Sequence, residues 1–315
     1  MENEYNSFYP PKPFLEKEEQ RQGHIAVTIF SIVLFAMTFL LFFGQQIVFL
    51  VELMAVLIVH EMGHFLMMKR FGYKNVRMLF VPLMGAFVHG RKDEYKQKES
   101  ILVILAGPLP GIALAVAFWF LGHQFQILWM VEVALWSFLI NAINLLPILP
   151  MDGGRLLNVM FFQRIELFQV IFAFCSSIAM IAFGFFFDYY LFMIFGFLMG
   201  FQVRSRHRRY LVHKSLRDSQ VEYTTTYEKL TDQAYHFIKK EVLEHTPGLR
   251  KFTENSEEMD TSVIVAGEVN NMLEPPLEKD AGWAYVSFIV FIWIAAVLGS
   301  VFFVLQSNGV EFNGL

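Results

Sequence analysis

The sequence predicts an all-α polytopic membrane protein, and two properties of its composition support this. Hydrophobic residues make up 55% of the 315 residues, only 17% are charged, and the mean hydropathy is +0.45. These residues cluster in long apolar runs, several of them long enough to cross a lipid bilayer. The net charge of -4 is small and indicates no nucleic-acid partner. We expect about seven transmembrane helices, a short membrane-associated β-hairpin and a small cytoplasmic helical segment.

The apolar runs define the predicted spans in chain order. Six of them cover residues 25–43, 47–68, 101–121, 167–187, 189–203 and 283–305. The remaining run, fourth in chain order, begins near residue 127 and reaches the stretch 141–155. The first run is too long for the core of a signal peptide, and no small-residue cleavage site follows it. We therefore interpret it as a retained span.

The polar residues divide the chain around these spans. We predict a cytoplasmic N-terminal tail (1–22), a transmembrane domain (23–203, with its core at about 47–164), a cytoplasmic accessory segment (204–282), a C-terminal transmembrane helix (283–305) and a tail (306–315). The accessory segment is polar and of mixed charge, and its apolar residues between Tyr227 and Leu243 recur at helical spacing. This pattern predicts an amphipathic helix and little else, in a small accessory or regulatory module.

The basic residues predict the orientation in the membrane. Lysine and arginine occur in the N-terminal tail and in residues 69–98, 155–164 and 204–217, whereas the turns at 44–46, 122–126 and 188 carry neither. Alternating spans place every basic segment on one side, which the positive-inside rule makes cytoplasmic. The multi-pass protein would then hold its functional residues near the cytoplasmic side.

A shorter apolar piece, Met78–Val88, is interrupted by Pro82 and Gly85 and is too short for a spanning helix. Its valines, phenylalanines and glycine suit a hairpin or a re-entrant strand pair. An interfacial loop is the alternative, and the sequence does not separate the two.

The strongest motif is His60-Glu61-Met62-Gly63-His64, within the second predicted span. On a helix, histidines four positions apart project from one face and can bind one metal ion. Glu61 adjoins the first histidine and can accept a proton from water on the metal, as in zinc hydrolases. Ionisable groups are costly in a membrane helix, so their presence there favours a functional site.

A catalytic zinc site usually has three protein ligands. Asp152 is the best third ligand on topology, because it is predicted at the depth of the histidines and follows a Pro147–Pro150 break. Gly153-Gly154 would let its backbone approach another helix. His89 is a weaker candidate. The remaining membrane-embedded candidates are expected too far along the helix or toward the opposite face: Glu52, Glu132, His123 and Asp188.

Together, the His60–His64 motif and the stretch from Asn144 to Arg155 resemble the site-2 protease family of intramembrane zinc metalloproteases. Ala106-Gly107-Pro108 and the hairpin-like insert are similar to that family too. The resemblance covers about residues 47–164. It implies one zinc ion per chain on His60, His64 and Asp152, with Glu61 as the general base and Asn144 holding the substrate strand.

The implied function is hydrolysis of peptide bonds in a transmembrane substrate, expected to be a single-span protein in the lipid bilayer. The edge of Met78–Val88 could accept the unwound substrate as an added strand. The chain departs from the family in having no stretch for a PDZ domain or a nucleotide-sensing module, which leaves any regulatory protein open. Alternative functions are an inactive scaffold on the same fold, another H-E-x-x-H membrane protease, or a transporter whose proton path uses Glu52, Glu132 and Asp152.

Overall fold

The computed structural model describes residues 9–15, 24–44, 46–82, 85–162, 165–188, 190–255 and 258–306. The helices are α1 (His24–Phe43), α2 (Ile47–Arg70), α3 (Gln97–Leu105), α4 (Pro108–Phe125), α5 (Leu128–Asn144), α6 (Asp152–Leu157), α7 (Glu166–Phe186), α8 (Tyr190–Asp218), α9 (Asp232–Glu244), α10 (Pro247–Asn255), α11 (Glu258–Met272) and α12 (Trp283–Gln306). The strands are β1 (Lys74–Val81), β2 (Gly85–Arg91), β3 (Tyr95–Lys96) and β4 (Leu277–Glu278). Most of the two predicted tails and Arg164 lie outside the described residues.

The described chain is mostly helical and is an integral membrane protein by the length and composition of its helices. Four stretches are long and apolar enough to cross a bilayer: α2, α3 with α4, α7 and α12. The apolar parts of α1 and α5 form shorter helices. Residues 190–203 of the predicted run 189–203 lie in α8, which continues without a break into the polar segment. The count of seven spans therefore stays a prediction.

The third predicted span is broken into two helices. Helix α3 ends at Leu105, and Pro108 is the first residue of α4, where its missing N–H leaves no hydrogen bond unmade. The break lets the main chain approach α2 very closely. A Cβ atom at Gly63 would lie 1.8 Å from the carbonyl oxygen of Ala106, so only glycine permits this contact.

The piece around Met78–Val88 forms an antiparallel hairpin of β1 and β2, so the predicted hairpin is confirmed over the predicted interfacial loop. The strand pairing extends from Lys74 to Arg91. Helix α1 covers the outer edge of β1. The Thr28 hydroxyl donates to the carbonyl of Met78 at 2.8 Å, and the N–H of Phe80 donates to the Ser31 hydroxyl at 3.1 Å. The hairpin thus has one edge already occupied.

The same contacts show which groups of β2 face outward. The backbone groups of Met78 and Phe80 point to α1, so their pairs with Val88 and Ala86 are not hydrogen-bonded across the hairpin. The N–H and C=O groups of Ala86 and Val88 therefore point to the opposite edge of β2. Phe87, which pairs with Leu79, directs its backbone groups toward β1.

The segment after α8 is larger than the predicted amphipathic helix. The end of α8 packs with α9 and α11 around a buried apolar core, and we call residues 212–273 the helical module. Its buried residues are Val212, Leu216, Leu230, Tyr235, Ile238, Val242, Val265, Ala266, Val269, Met272 and Leu273. The expectation of little beyond one helix is wrong, since the apolar residues of several short helices combine in one core.

Two contacts attach the module to the membrane helices. Strand β4, which follows the module, pairs in parallel with β3, just before α3. His213 is fully buried, and its Nδ1 lies 2.8 Å from Glu166 Oε1 at the start of α7, while its Nε2 donates to the Met272 carbonyl at 2.7 Å. The imidazole thus joins α7, α8 and the end of α11.

Candidate metal centre

His60 and His64 lie one turn apart on α2 and are 2% and 4% exposed. Their Nε2 atoms are 3.2 Å apart. Asp152 is the first residue of α6 and is 5% exposed, and its Oδ2 lies 3.1 Å from His60 Nε2 and 3.0 Å from His64 Nε2. The structure brings together these three potential ligands, far apart in the sequence, in a group able to hold a metal ion.

The hydrogen bonds of the two imidazoles determine which nitrogens face the centre. His60 Nδ1 donates to Asn141 Oδ1 at 2.7 Å, and His64 Nδ1 donates to the Val103 carbonyl at 2.7 Å. A neutral imidazole protonated at Nδ1 has its lone pair at Nε2. With both imidazoles neutral, two Nε2 lone pairs and a carboxylate oxygen converge on one point, an arrangement that a cation relieves.

The spacing of these atoms fits zinc. Ligands bound tetrahedrally at about 2.0–2.1 Å from zinc are separated from one another by about 3.3 Å. The observed separations of 3.0–3.2 Å are close to this value. Imidazole nitrogen and carboxylate oxygen are also ordinary zinc ligands. The residues present therefore fit this metal.

Asn141, which was not among the residues predicted for the site, orients His60. Its side chain is fully buried, and its Nδ2 donates to the Ser137 carbonyl at 2.7 Å, which turns Oδ1 toward the imidazole. Gly111 of α4 makes the space, because a Cβ atom there would lie 2.5 Å from Asn141 Nδ2. The available signal was a polar amide inside an apolar run, where it requires hydrogen-bond partners.

Asn144, implied as the residue that holds the substrate strand, lies one turn beyond Asn141. Its side chain is partly buried, and Nδ2 donates to the Ile140 carbonyl at 3.1 Å. A substrate role for Asn144 stays a prediction.

Two glycines place Asp152 through the loop before it. Cβ atoms at Gly153 and Gly154 would lie 2.1 Å from the Leu145 carbonyl oxygen and 2.5 Å from the Ile148 carbonyl carbon. The glycines therefore permit a close approach of α6 to the main chain of residues 145–149, which follows α5. Arg155 Nη1 lies 3.3 Å from Asp152 Oδ1, the oxygen that faces away from the histidines' Nε2 atoms.

Gly107 completes the wall of the centre beside His64. A Cβ atom there would lie 2.2 Å from His64 Nε2, so the main chain at the α3–α4 break rests directly on the imidazole. Glu61 is 5% exposed and interacts electrostatically with both His60 and His64. A carboxylate thus lies beside the converging ligands.

The other sequence candidates lie elsewhere. His89 is exposed and pairs with Arg77 across the hairpin. Among the described residues, the other group with metal-ligand spacing is Glu166, His213 and Glu274. There His213 Nε2 donates to the Met272 carbonyl and Nδ1 lies 2.8 Å from Glu166 Oε1.

The fold and the site define a membrane protein with a buried His-His-Asp centre between its helices. Residues 48–129 match the profile of peptidase family M50, a range that contains the histidine motif and ends before Asp152. The chain is 31% identical over 120 residues to stage IV sporulation protein FB of Bacillus subtilis. The aligned residues cover 36% of this chain and 40% of that protein. These matches confirm the resemblance to the site-2 protease family.

A zinc metalloprotease of Methanocaldococcus jannaschii is 23% identical over 146 residues, 45% of this chain and 42% of its own length. The chain thus matches about two fifths of each of these two relatives. The solved structure of a site-2 protease from Methanocaldococcus jannaschii is similar with a TM-score of 0.44 and 19% identity, over 56% of this chain and 88% of that one.

Proposed function

We propose that this protein is an intramembrane zinc metalloprotease that hydrolyses peptide bonds of transmembrane substrates. The observation that carries the proposal is the convergence of His60 Nε2, His64 Nε2 and Asp152 Oδ2 within 3.2 Å of one another. The Nδ1 hydrogen bonds leave both nitrogens as acceptors, as zinc requires. The similarity to one named zinc metalloprotease and to the profile of peptidase family M50 supports the same function.

In this proposal His60, His64 and Asp152 hold one zinc ion per chain. Zinc in such a site polarises a carbonyl and lowers the pKa of water toward about 7. Glu61 is rotated about 100° from His60 on the helix, so it reaches the attacking water without being a metal ligand. It accepts the proton of that water and passes it to the leaving amine.

The substrate must present an extended strand, because a helix hides its carbonyls in internal hydrogen bonds. We place that strand at the outer edge of β2, where Ala86 and Val88 direct their backbone groups away from β1. The edge of β1 is not available, since α1 already occupies it. The partner would be a membrane protein with one span, unwound near the centre on the cytoplasmic side.

Zinc content and cleavage together test these roles. Glu61→Gln should keep about one zinc per chain and lose activity by about 10²- to 10⁴-fold, because only proton transfer is removed. His60→Ala, His64→Ala and Asp152→Ala should each lose zinc as well as activity. Arg155→Ala is the matched control and should keep the metal, since Arg155 pairs with Asp152 Oδ1 and not with the oxygen that faces the histidines.

The measurement is elemental analysis of purified full-length protein beside cleavage of a single-span test substrate. Zinc binding by Asp152→Ala equal to that of the wild type would remove Asp152 from the ligand set. Full activity of Glu61→Gln would exclude Glu61 as the general base. Wild-type protein that binds no zinc would instead favour the transporter or another metal-free function.

A further inference from the structure

The N-terminal segment Tyr9–Leu15 has the sequence Tyr-Pro-Pro-Lys-Pro-Phe-Leu and lies on the helical module. Its contact with Asp232 joins residues 220 positions apart in the chain. Proline fixes φ and favours the extended polyproline conformation, so such a segment loses little conformational entropy when it binds. Prolines are also unable to donate backbone hydrogen bonds, which limits how a surface can recognise them.

The module binds the lysine of this segment through backbone carbonyls. Lys12 Nζ donates to the carbonyls of Tyr227 at 2.6 Å, Glu228 at 3.2 Å and Leu230. An ammonium group has three donors, and the turn at Tyr227–Lys229 supplies two acceptors and the following Leu230 the third. The ammonium also lies 5.1 Å from the centre of the Tyr227 ring. A flat guanidinium could not direct its donors into these converging carbonyls, so the turn selects lysine.

The backbone of the segment is recognised as well. The N–H of Lys12 donates to Asp232 Oδ1 at 2.9 Å, and it is the one backbone donor between Pro10 and Pro13. His236 Nε2 donates to the Pro10 carbonyl at 2.9 Å. The same imidazole stacks on the Tyr9 ring, with centroids 5.6 Å apart and an interplanar angle of 27°.

The C-terminal half of the segment makes two further contacts. The Tyr227 hydroxyl donates to the Pro13 carbonyl at 2.7 Å. Burial raises the pKa of Tyr227, so the hydroxyl keeps its proton and remains a donor. Leu15 packs against the apolar core of the module. Aromatic rings, side-chain donors, backbone acceptors and an apolar contact thus follow the segment along its length, as in recognition of polyproline ligands.

We propose that this surface, formed by residues 227–230, Asp232 and His236, is a recognition site for proline-rich segments that carry a lysine between prolines. In this structure residues 9–15 occupy the site in cis. A partner protein with the same Pro-Lys-Pro chemistry would bind by displacing them. The proposal does not depend on proteolysis, because none of these residues belongs to the metal centre.

A tethered ligand competes strongly with a free one. A short linker holds a segment at an effective concentration on the order of mM, so a free peptide reaches the wild-type site only at comparable concentrations. Weakening the cis segment should therefore expose the site. Lys12→Met removes the ammonium and its carbonyl contacts while leaving the surface of the module unchanged.

The experiment measures binding of a fluorescent peptide with the sequence of residues 9–15 to full-length protein by fluorescence polarisation. We expect Lys12→Met to bind the peptide about tenfold or more tightly than the wild type, because charged hydrogen bonds contribute that much. Adding His236→Ala should weaken binding again. Lys240→Met removes a charge from an exposed position on the same helix α9 and should bind the peptide like the wild type.

Two results would overturn the proposal. The first is peptide binding by Lys12→Met that is no tighter than that of the wild type. The second is equal binding of a peptide in which the lysine is replaced by alanine. A wild-type dimer that dissociates on Lys12→Met would place the segment on a neighbouring copy and overturn the assignment in cis.

Discussion

Gly107→Ala tests the packing around the metal centre without changing a polar group. The new methyl group would lie 2.2 Å from His64 Nε2 and 2.6 Å from its Cε1. Ordinary contact begins at 3.4 Å, so the imidazole and the main chain must separate by about 1.2 Å. Metal–ligand distances tolerate deviations of about 0.2 Å. The 1.2 Å separation that the methyl group requires is several times larger than this tolerance, so we expect zinc affinity to fall at least about tenfold.

The two partners have little room to separate. His64 Nδ1 is tied to the Val103 carbonyl at 2.7 Å, and the preceding Ala106 carbonyl rests on Gly63 of α2. The imidazole must therefore rotate away from the centre or α2 and the α3–α4 break must move apart. Either movement separates His64 Nε2 from Asp152 Oδ2.

The assay compares zinc content after dialysis against buffered free zinc, with circular dichroism to monitor helix content. Gly200→Ala is the matched control, since nothing lies within 4 Å of a Cβ atom at that glycine of α8. It should bind zinc like the wild type. Wild-type zinc affinity in a folded Gly107→Ala variant would refute the packing argument and the placement of His64 as a ligand.

Three further predictions concern orientation, substrate docking and topology. Asn141→Leu should lower zinc affinity about 10- to 100-fold in titrations, because His60 Nδ1 loses the acceptor that fixes the tautomer of this imidazole. Ala86→Pro removes an outward-facing N–H and should reduce cleavage at normal zinc content, and unchanged cleavage would exclude docking at this edge. Phe87→Pro removes an N–H that faces β1, so it should destabilise the hairpin and lower the melting temperature. A reporter at Gly122 should be non-cytoplasmic and one near Asp218 cytoplasmic, and a cytoplasmic signal from Gly122 would contradict the orientation.

Local sequence patterns were sufficient for much of the architecture. Long apolar runs located α1, α2, α5, α7 and α12, because such a run favours a helix that spans the membrane. The four-residue spacing of His60 and His64 places both imidazoles on one helix face, whatever surrounds them. The third group, Asp152, was inferred from membrane depth and two glycines, and the structure places it with the histidines.

The tertiary structure decided the features that depend on how helices cross. Asn141 and His60 are 81 positions apart, and no periodicity relates an amide on α5 to an imidazole on α2. The occupied edge of β1 likewise depends on where α1 lies. The core of the helical module and its contact with residues 9–15 form only when distant segments pack together. Sequence patterns report the preferences of neighbouring residues, whereas these contacts arise from the relative placement of whole elements.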